Sequence, residues 1–269
     1  MGKTDLKCED QIHFGGRFMV DLVAQSINGI TVLTPEGVTL DQIPIIVVGD
    51  FPESFNPAVW QPNLPGTYPV YLEIGGPEHV RQEALNSLLS DPLHGAYLSA
   101  ATRTREDLSH LVRTLGQSSQ VVLTGFGVGG LLALWAAADN RDAPIASVIT
   151  VNGAPNWEFL KDRYPHYAWP SAEIKDTISS WDVSYRIPRI GSRSVLLVHG
   201  QDNREIRSDW IEEFYLMALG VNRHASSKWA YHRIPGLAHH MSTGLQKTTA
   251  EQAAFDLMDR WIRTSLGWE

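Results

Sequence analysis

One hexapeptide constrains this chain more than any other feature. Gly125-Phe126-Gly127-Val128-Gly129-Gly130 follows the apolar run Val121–Gly125 (VVLTG) and opens the equally apolar Gly129–Ala138 (GGLLALWAAA). A continuous apolar run, a glycine turn and a helix apolar on every side predict a buried strand that hands directly to a buried helix. The glycines let strand and helix backbones pass closely. Such a unit belongs to a sheet covered by helices on both faces.

The same rhythm repeats along the chain. Ser147–Asn152 (SVITVN) and Ser194–His199 (SVLLVH) are further near-continuous apolar runs, and Pro69–Gly76 (PVYLEIGG) and Trp229–Ile234 (WAYHRI) are short and β-rich. Helical patterns fill the gaps. Ile206–Leu219 is amphipathic, and Thr248-x-x-Glu251 is a capping box ahead of apolar positions at helical spacing: Ala250, Ala254, Leu257, Met258, Trp261 and Ile262. Two segments break the alternation. Residues 12–65, rich in Val, Ile, Gly and Pro, read as antiparallel strands that precede the parallel part. Residues 157–193 carry Trp157, Tyr164, Tyr167, Trp169, Trp181 and Tyr185. They are expected to form either a short aromatic lid over a pocket or a surface excursion with its own hydrophobic cluster. With 269 residues, 43% of them hydrophobic, the chain reads as a single α/β domain over 1–269.

Four segments in order resemble an α/β-hydrolase. Gly125-x-Gly127-x-Gly129 stands in the strand–turn–helix context of the nucleophile elbow G-x-S-x-G. Tyr68–Pro77, ending Ile74-Gly75-Gly76-Pro77, resembles the strand and H-G-G-P oxyanion loop of prolyl-oligopeptidase-like serine peptidases. Val195–Gly200 resembles the strand ahead of the acid, written H-G-x-x-D, and Pro235-Gly236-Leu237-Ala238-His239 resembles the P-G-x-G-H loop of the catalytic histidine. The resemblance implies an α/β-hydrolase fold with a mostly parallel, doubly wound sheet. It also implies a site made of His239, an orienting partner (Asn203 or Asp202), backbone N–H groups around Gly75, Gly76 and Val128, and Trp157 from the insertion.

The departures decide the chemistry. Gly127 stands where the serine belongs and has no side chain to acylate. Counting H-G-x-x-D from His199 puts Asn203 at the acid position, with Asp202 one residue early. Serine activation needs both the histidine and the carboxylate that orients it. Ordinary serine-hydrolase activity is therefore not expected. The sequence supports a non-hydrolytic enzyme on the hydrolase fold, of epimerase, cyclase or lyase type and fitted for biosynthesis, with His239 as base. The alternative is an inactive pseudohydrolase that binds a small molecule, a peptide or a partner protein.

Rival readings are weaker. The hexapeptide also fits the dinucleotide fingerprint G-x-G-x-x-G, but the following strand ends in Asn152-Gly153-Ala154-Pro155 without the carboxylate that motif requires. An inactivated serine hydrolase is the remaining possibility. His239 and His240 are adjacent without a metal-ligand spacing, so no metal and no cofactor are expected. A net charge of −8 disfavours nucleic acid and anionic membranes as partners. Cys8 is the only cysteine, and the N-terminus MGKTDLKCED has no apolar signal segment, so a cytoplasmic location is expected.

Overall fold

The computed structural model describes residues 22–38, 41–53, 56–62, 64–169, 173–242 and 246–268. Cys8 and the start of the 12–65 segment lie outside these residues. Eight strands form one sheet: β1 (Leu22–Ile27), β2 (Ile30–Pro35), β3 (Ile43–Val48), β4 (Thr67–Leu72), β5 (Val121–Phe126), β6 (Ile145–Val151), β7 (Ser194–Gly200) and β8 (Trp229–Ile234). Their spatial order is β1-β2-β4-β3-β5-β6-β7-β8. The β1–β2 and β2–β4 pairs are antiparallel, and every pair from β4 to β8 is parallel.

The apolar runs fall where the sequence placed them because strands covered on both faces need apolar side chains on both faces. Strands β5 and β7 are buried almost throughout. One correction concerns the N-terminal segment. Within 12–65 only β1 and β2 behave as expected. Ile43–Val48 runs parallel to both β4 and β5 and lies between them in the sheet.

The helices are α1 (Glu78–Asn86), α2 (Ser99–Leu115), α3 (Val128–Asp139), α4 (Phe159–Arg163), α5 (Glu173–Ser180), α6 (Ile187–Ile190), α7 (Ser208–Val221) and α8 (Thr249–Leu266). Leu108 and Val112 of α2 join Leu131 and Leu132 of α3 in the core on one face of the sheet, while Phe255, Met258 and Ile262 of α8 cover the other. The α8 capping box is formed as read, with Thr248 and Glu251 each taking the other's backbone N–H. Helix α3 packs so tightly that side chains are excluded. A Cβ on Gly125 would lie 2.0 Å from the Gly129 carbonyl oxygen, and one on Gly129 would lie 2.3 Å from that of Gly49.

The aromatic insertion folds inward. Trp157 is fully buried, with its ring 6.0 Å from Tyr97 and 5.6 Å from Trp181, which in turn lies 5.5 Å from Trp135 of α3. These rings belong to the main core. Trp157 and Trp181 thus join the main core and do not form a separate surface cluster. Phe51 then meets Tyr97 edge-on at 5.0 Å, so the aromatic chain ends under the loop that leaves β3.

Candidate functional site around Asp50 and His239

Strands β3 and β5 end side by side, and the turns that follow them face each other. The first turn is Gly49-Asp50-Phe51 and the second is Gly127-Val128. Gly127 has φ +52°, in the region that glycine tolerates. Its missing side chain is not an empty space. A Cβ built there would lie 2.1 Å from the carboxylate carbon and both oxygens of Asp50. The aspartate of the β3 turn occupies the volume that a serine on the elbow would need.

The carboxylate is held at both ends. Oδ1 accepts the backbone N–H groups of Val128 and Phe51, each at 2.8 Å. Oδ2 lies 3.0 Å from Nε2 of His239. The His239 side chain is 4% exposed and that of Asp50 17%. The contact is an ion pair without the alignment of a full hydrogen bond, and Nδ1 of the ring has no hydrogen-bond partner. Burial pushes the Asp50 pKa up, but His239 and the two N–H groups outweigh it and hold the carboxyl below its ordinary range. Burial pushes the His239 pKa down, but Asp50 and, after it, Glu205 outweigh it, so the imidazole is more basic than usual.

A charged rim surrounds the pair. Glu205, in the loop after β7, reaches His239 Nε2 at 3.7 Å and His240 Nε2 at 2.5 Å. Arg163, at the end of α4, bonds Glu205 at 2.8 Å and Glu53 at 3.2 Å. Burial disfavours the Arg163 charge, and the surrounding Tyr97, Glu205 and Glu53 more than offset this, raising its pKa.

Several residues singled out in the sequence have other partners. Asn203 folds its side-chain oxygen onto the N–H groups of Glu205 and Ile206, at 3.0 Å each, and shapes its own loop. Asp202 is exposed. Neither is the carboxylate or amide facing His239 Nε2. That partner is Asp50. Gly75 and Gly76 do not reach the elbow: Gly75 N–H donates to Thr104 of α2 at 2.9 Å, and Gly76 lies against Arg103 and Asp107. The N–H that pairs with Val128 belongs to Phe51, because β3 and not β4 adjoins β5. Trp157 packs against Tyr97, which in turn meets Phe51 beside Asp50. His239 and His240, adjacent in sequence without a metal-ligand spacing, are paired with carboxylates in space. Their rings stand 4.9 Å apart, and Asp50, Glu205 and Glu53 converge on them.

Sequence reading missed Asp50, Glu205, Arg163 and Asn152. Asn152 ends β6 with φ +55° and donates to the carbonyls of Ala238 at 2.7 Å and His239 at 3.0 Å, while its oxygen accepts Gly200 N–H at 2.8 Å. It ties the histidine loop to the ends of two strands. The available signal for Asp50 was a lone acid directly after Ile43–Val48 and a glycine.

No family model matches this sequence, and neither does any of the curated proteins. Solved structures do. TT1662 from Thermus thermophilus superposes with a TM-score of 0.61 at 11% identity over 91% of this chain and 99% of its own. A sugar hydrolase (YeeB) from Lactococcus lactis gives 0.60 at 15% over 91% and 100%. MGS-MChE2, an α/β-hydrolase enzyme from a sediment metagenome of the Mar Chica lagoon, gives 0.54 at 13% over 90% and 98%. No helix among the described residues is long and apolar enough to cross a membrane. Strand order, elbow and solved neighbours agree, and the chain has the α/β-hydrolase fold.

Proposed function

We infer that this is an enzyme of the hydrolase fold without serine chemistry, which moves protons on a carbonyl-bearing small molecule or peptide. Isomerisation, epimerisation and elimination all belong to that class. One observation carries the reading: the Asp50 carboxylate and the His239 imidazole stand 3.0 Å apart at the nucleophile's place. The two backbone N–H groups that would serve a substrate oxyanion are already bonded to Asp50. Charge on a substrate oxygen must then be met by the imidazolium. Asp50 Oδ2 accepts the proton from carbon while His239 gives its Nε2 proton to the carbonyl oxygen, forming an enol. The reverse transfers, to the other face or to a neighbouring carbon, give product and restore both groups. This changes the role read from the sequence, where His239 was the base. A carboxylate of lowered pKa is a weak base, so the substrate proton must already be acidified.

The test is solvent exchange. The protein is incubated with a library of carbonyl metabolites and peptides in D₂O, and mass spectrometry reads deuterium incorporation. Wild type should exchange at least one library member, and Asp50→Asn should lower the rate by about 10²-fold or more. Fluorophosphonate labelling of a serine, with no exchange anywhere, would remove the reading.

The seating of Oδ1 also favours a second reading, with Asp50 as nucleophile. Oδ2 attacks an electrophilic carbon such as that of an epoxide, the C–O bond breaks, and His239 protonates the leaving oxygen. The ester no longer carries the charge that kept the imidazole protonated. Neutral His239 then takes a proton from water, which attacks Cγ while the Phe51 and Val128 N–H groups hold the charge on Oδ1. Collapse releases the alcohol and returns the proton. Single turnover in H₂¹⁸O would leave ¹⁸O in Asp50 on this route and none on the first.

A further inference from the structure

We propose that Asp50, His239 and His240, with Glu205 beside them, form a binding site for one divalent transition-metal ion, with Zn²⁺ as its best-matched occupant. The site shares the Asp50–His239 pair with the proposed activity but rests only on the placement of donors.

Single donor atoms of Asp50, His239 and His240 lie within 4.8 Å of one another. Asp50 Oδ2 to His239 Nε2 is 3.0 Å, and His239 Nε2 to Glu205 Oε2 is 3.7 Å. Tetrahedral ligands at zinc bond lengths of about 2.0 Å are roughly 3.3 Å apart, close to the Asp50–His239 separation. Two imidazoles and a carboxylate are donors that Zn²⁺ and its first-row neighbours take. The rings of His239 and His240 stand at 80° to each other, which lets two adjacent loop residues address one point from different directions.

A second observation points to a ligand. His239 is 4% exposed, yet neither ring nitrogen has an aligned hydrogen bond. Nε2 nevertheless points into the acidic cluster. Charge leads to the same place. Asp50, Glu53 and Glu205 bring three negative charges within reach of one another, and Arg163 returns one positive charge. The three carboxylates exceed Arg163 by two negative charges, which one divalent ion neutralises. Arg163 holds Glu205 through Oε2, which leaves Oε1 against His240.

The experiment uses the full chain and the metal alone. Titration calorimetry with ZnCl₂, and elemental analysis after dialysis against it, should show one ion per chain with Kd at or below the micromolar range. His240 is half exposed, so His240→Ala should fold normally and weaken binding at least about tenfold. Asp50→Asn should do the same. In the Co²⁺ form, visible absorption of a four-coordinate ion should appear in wild type and vanish in His240→Ala. Absence of a stoichiometric ion overturns the proposal, as does equal binding by wild type and both variants. Neither result touches the deuterium-exchange test, so the two readings fail separately.

Discussion

The turns after β3 and β5 and the loops after β7 and β8 meet at one site and are built in opposite ways. In the first region backbone packs on backbone. Gly129 touches the Gly49 carbonyl, Asp50 takes two N–H groups, and nothing larger than hydrogen fits on Gly125, Gly127 or Gly129. In the second region polar groups are buried and incompletely paired. Among the described residues His239 Nδ1 and Asn203 Nδ2 have no hydrogen-bond partner, and Asn152 holds the histidine loop from below. The first region fixes a carboxylate in place by shape. The second keeps polar atoms available, and each of them depends on a few hydrogen bonds for its position.

If that contrast is right, the first region is sensitive to volume and the second to deletion of polar atoms. The largest effect is expected at Gly127. Gly127→Ala places a methyl group inside the Asp50 carboxylate, so the aspartate must leave the Val128 and Phe51 N–H groups. Denaturant unfolding should show a loss of about 3 kcal/mol, from overpacking and lost acceptors together. A stability within 0.5 kcal/mol of wild type would mean that the turn yields easily and that shape does not hold Asp50.

Asn152→Ala should follow, at about 2 kcal/mol, because it strips three buried hydrogen bonds without adding volume. Amide exchange in residues 236–241 should rise with it. Unchanged protection there would show that the histidine loop has another anchor.

Glu251 comes next. Its carboxylate accepts the N–H groups of Ser242 and Thr248, and so ties down the chain after His240. Burial would raise its pKa, but these bonds outweigh it and lower it. A depressed folded-state pKa gives stability that is present above the unfolded value and lost as pH falls through the folded one. Glu251→Gln should therefore cost about 1.5 kcal/mol at neutral pH and progressively less below about pH 4. A penalty independent of pH would assign the effect to geometry alone.

The smallest pair separates the two acid-loop candidates. Asn203→Ala removes an acceptor for two N–H groups and should cost about 1 kcal/mol, while exposed Asp202→Ala should stay within about 0.5 kcal/mol. The reverse ranking would show that Asp202 does have a role.

The strands and the elbow were legible in the sequence because a strand buried on both faces writes itself as a continuous apolar run, and a close helix crossing writes itself in glycine. His239 was legible from its loop. Asp50 was not, since the Val128 N–H that holds it is 78 positions away and no local pattern joins them. Gly75 and Gly76 misled because strand order is not chain order. Strand β4 precedes β5 in the described sequence of strands, but β3 is its neighbour in space. Glu205 and Arg163 gain meaning only from each other.

The carboxylate inside the elbow also bears on how this chain could change over generations. A serine returned to position 127 by one substitution would collide with Asp50. Losing Asp50 first would leave an elbow with neither a serine nor a carboxylate. Each route to a serine at position 127 thus crosses a variant that is either strained or without a side chain at the elbow. A single pair of residues, each the reason for the other, makes a serine at that position hard to accommodate.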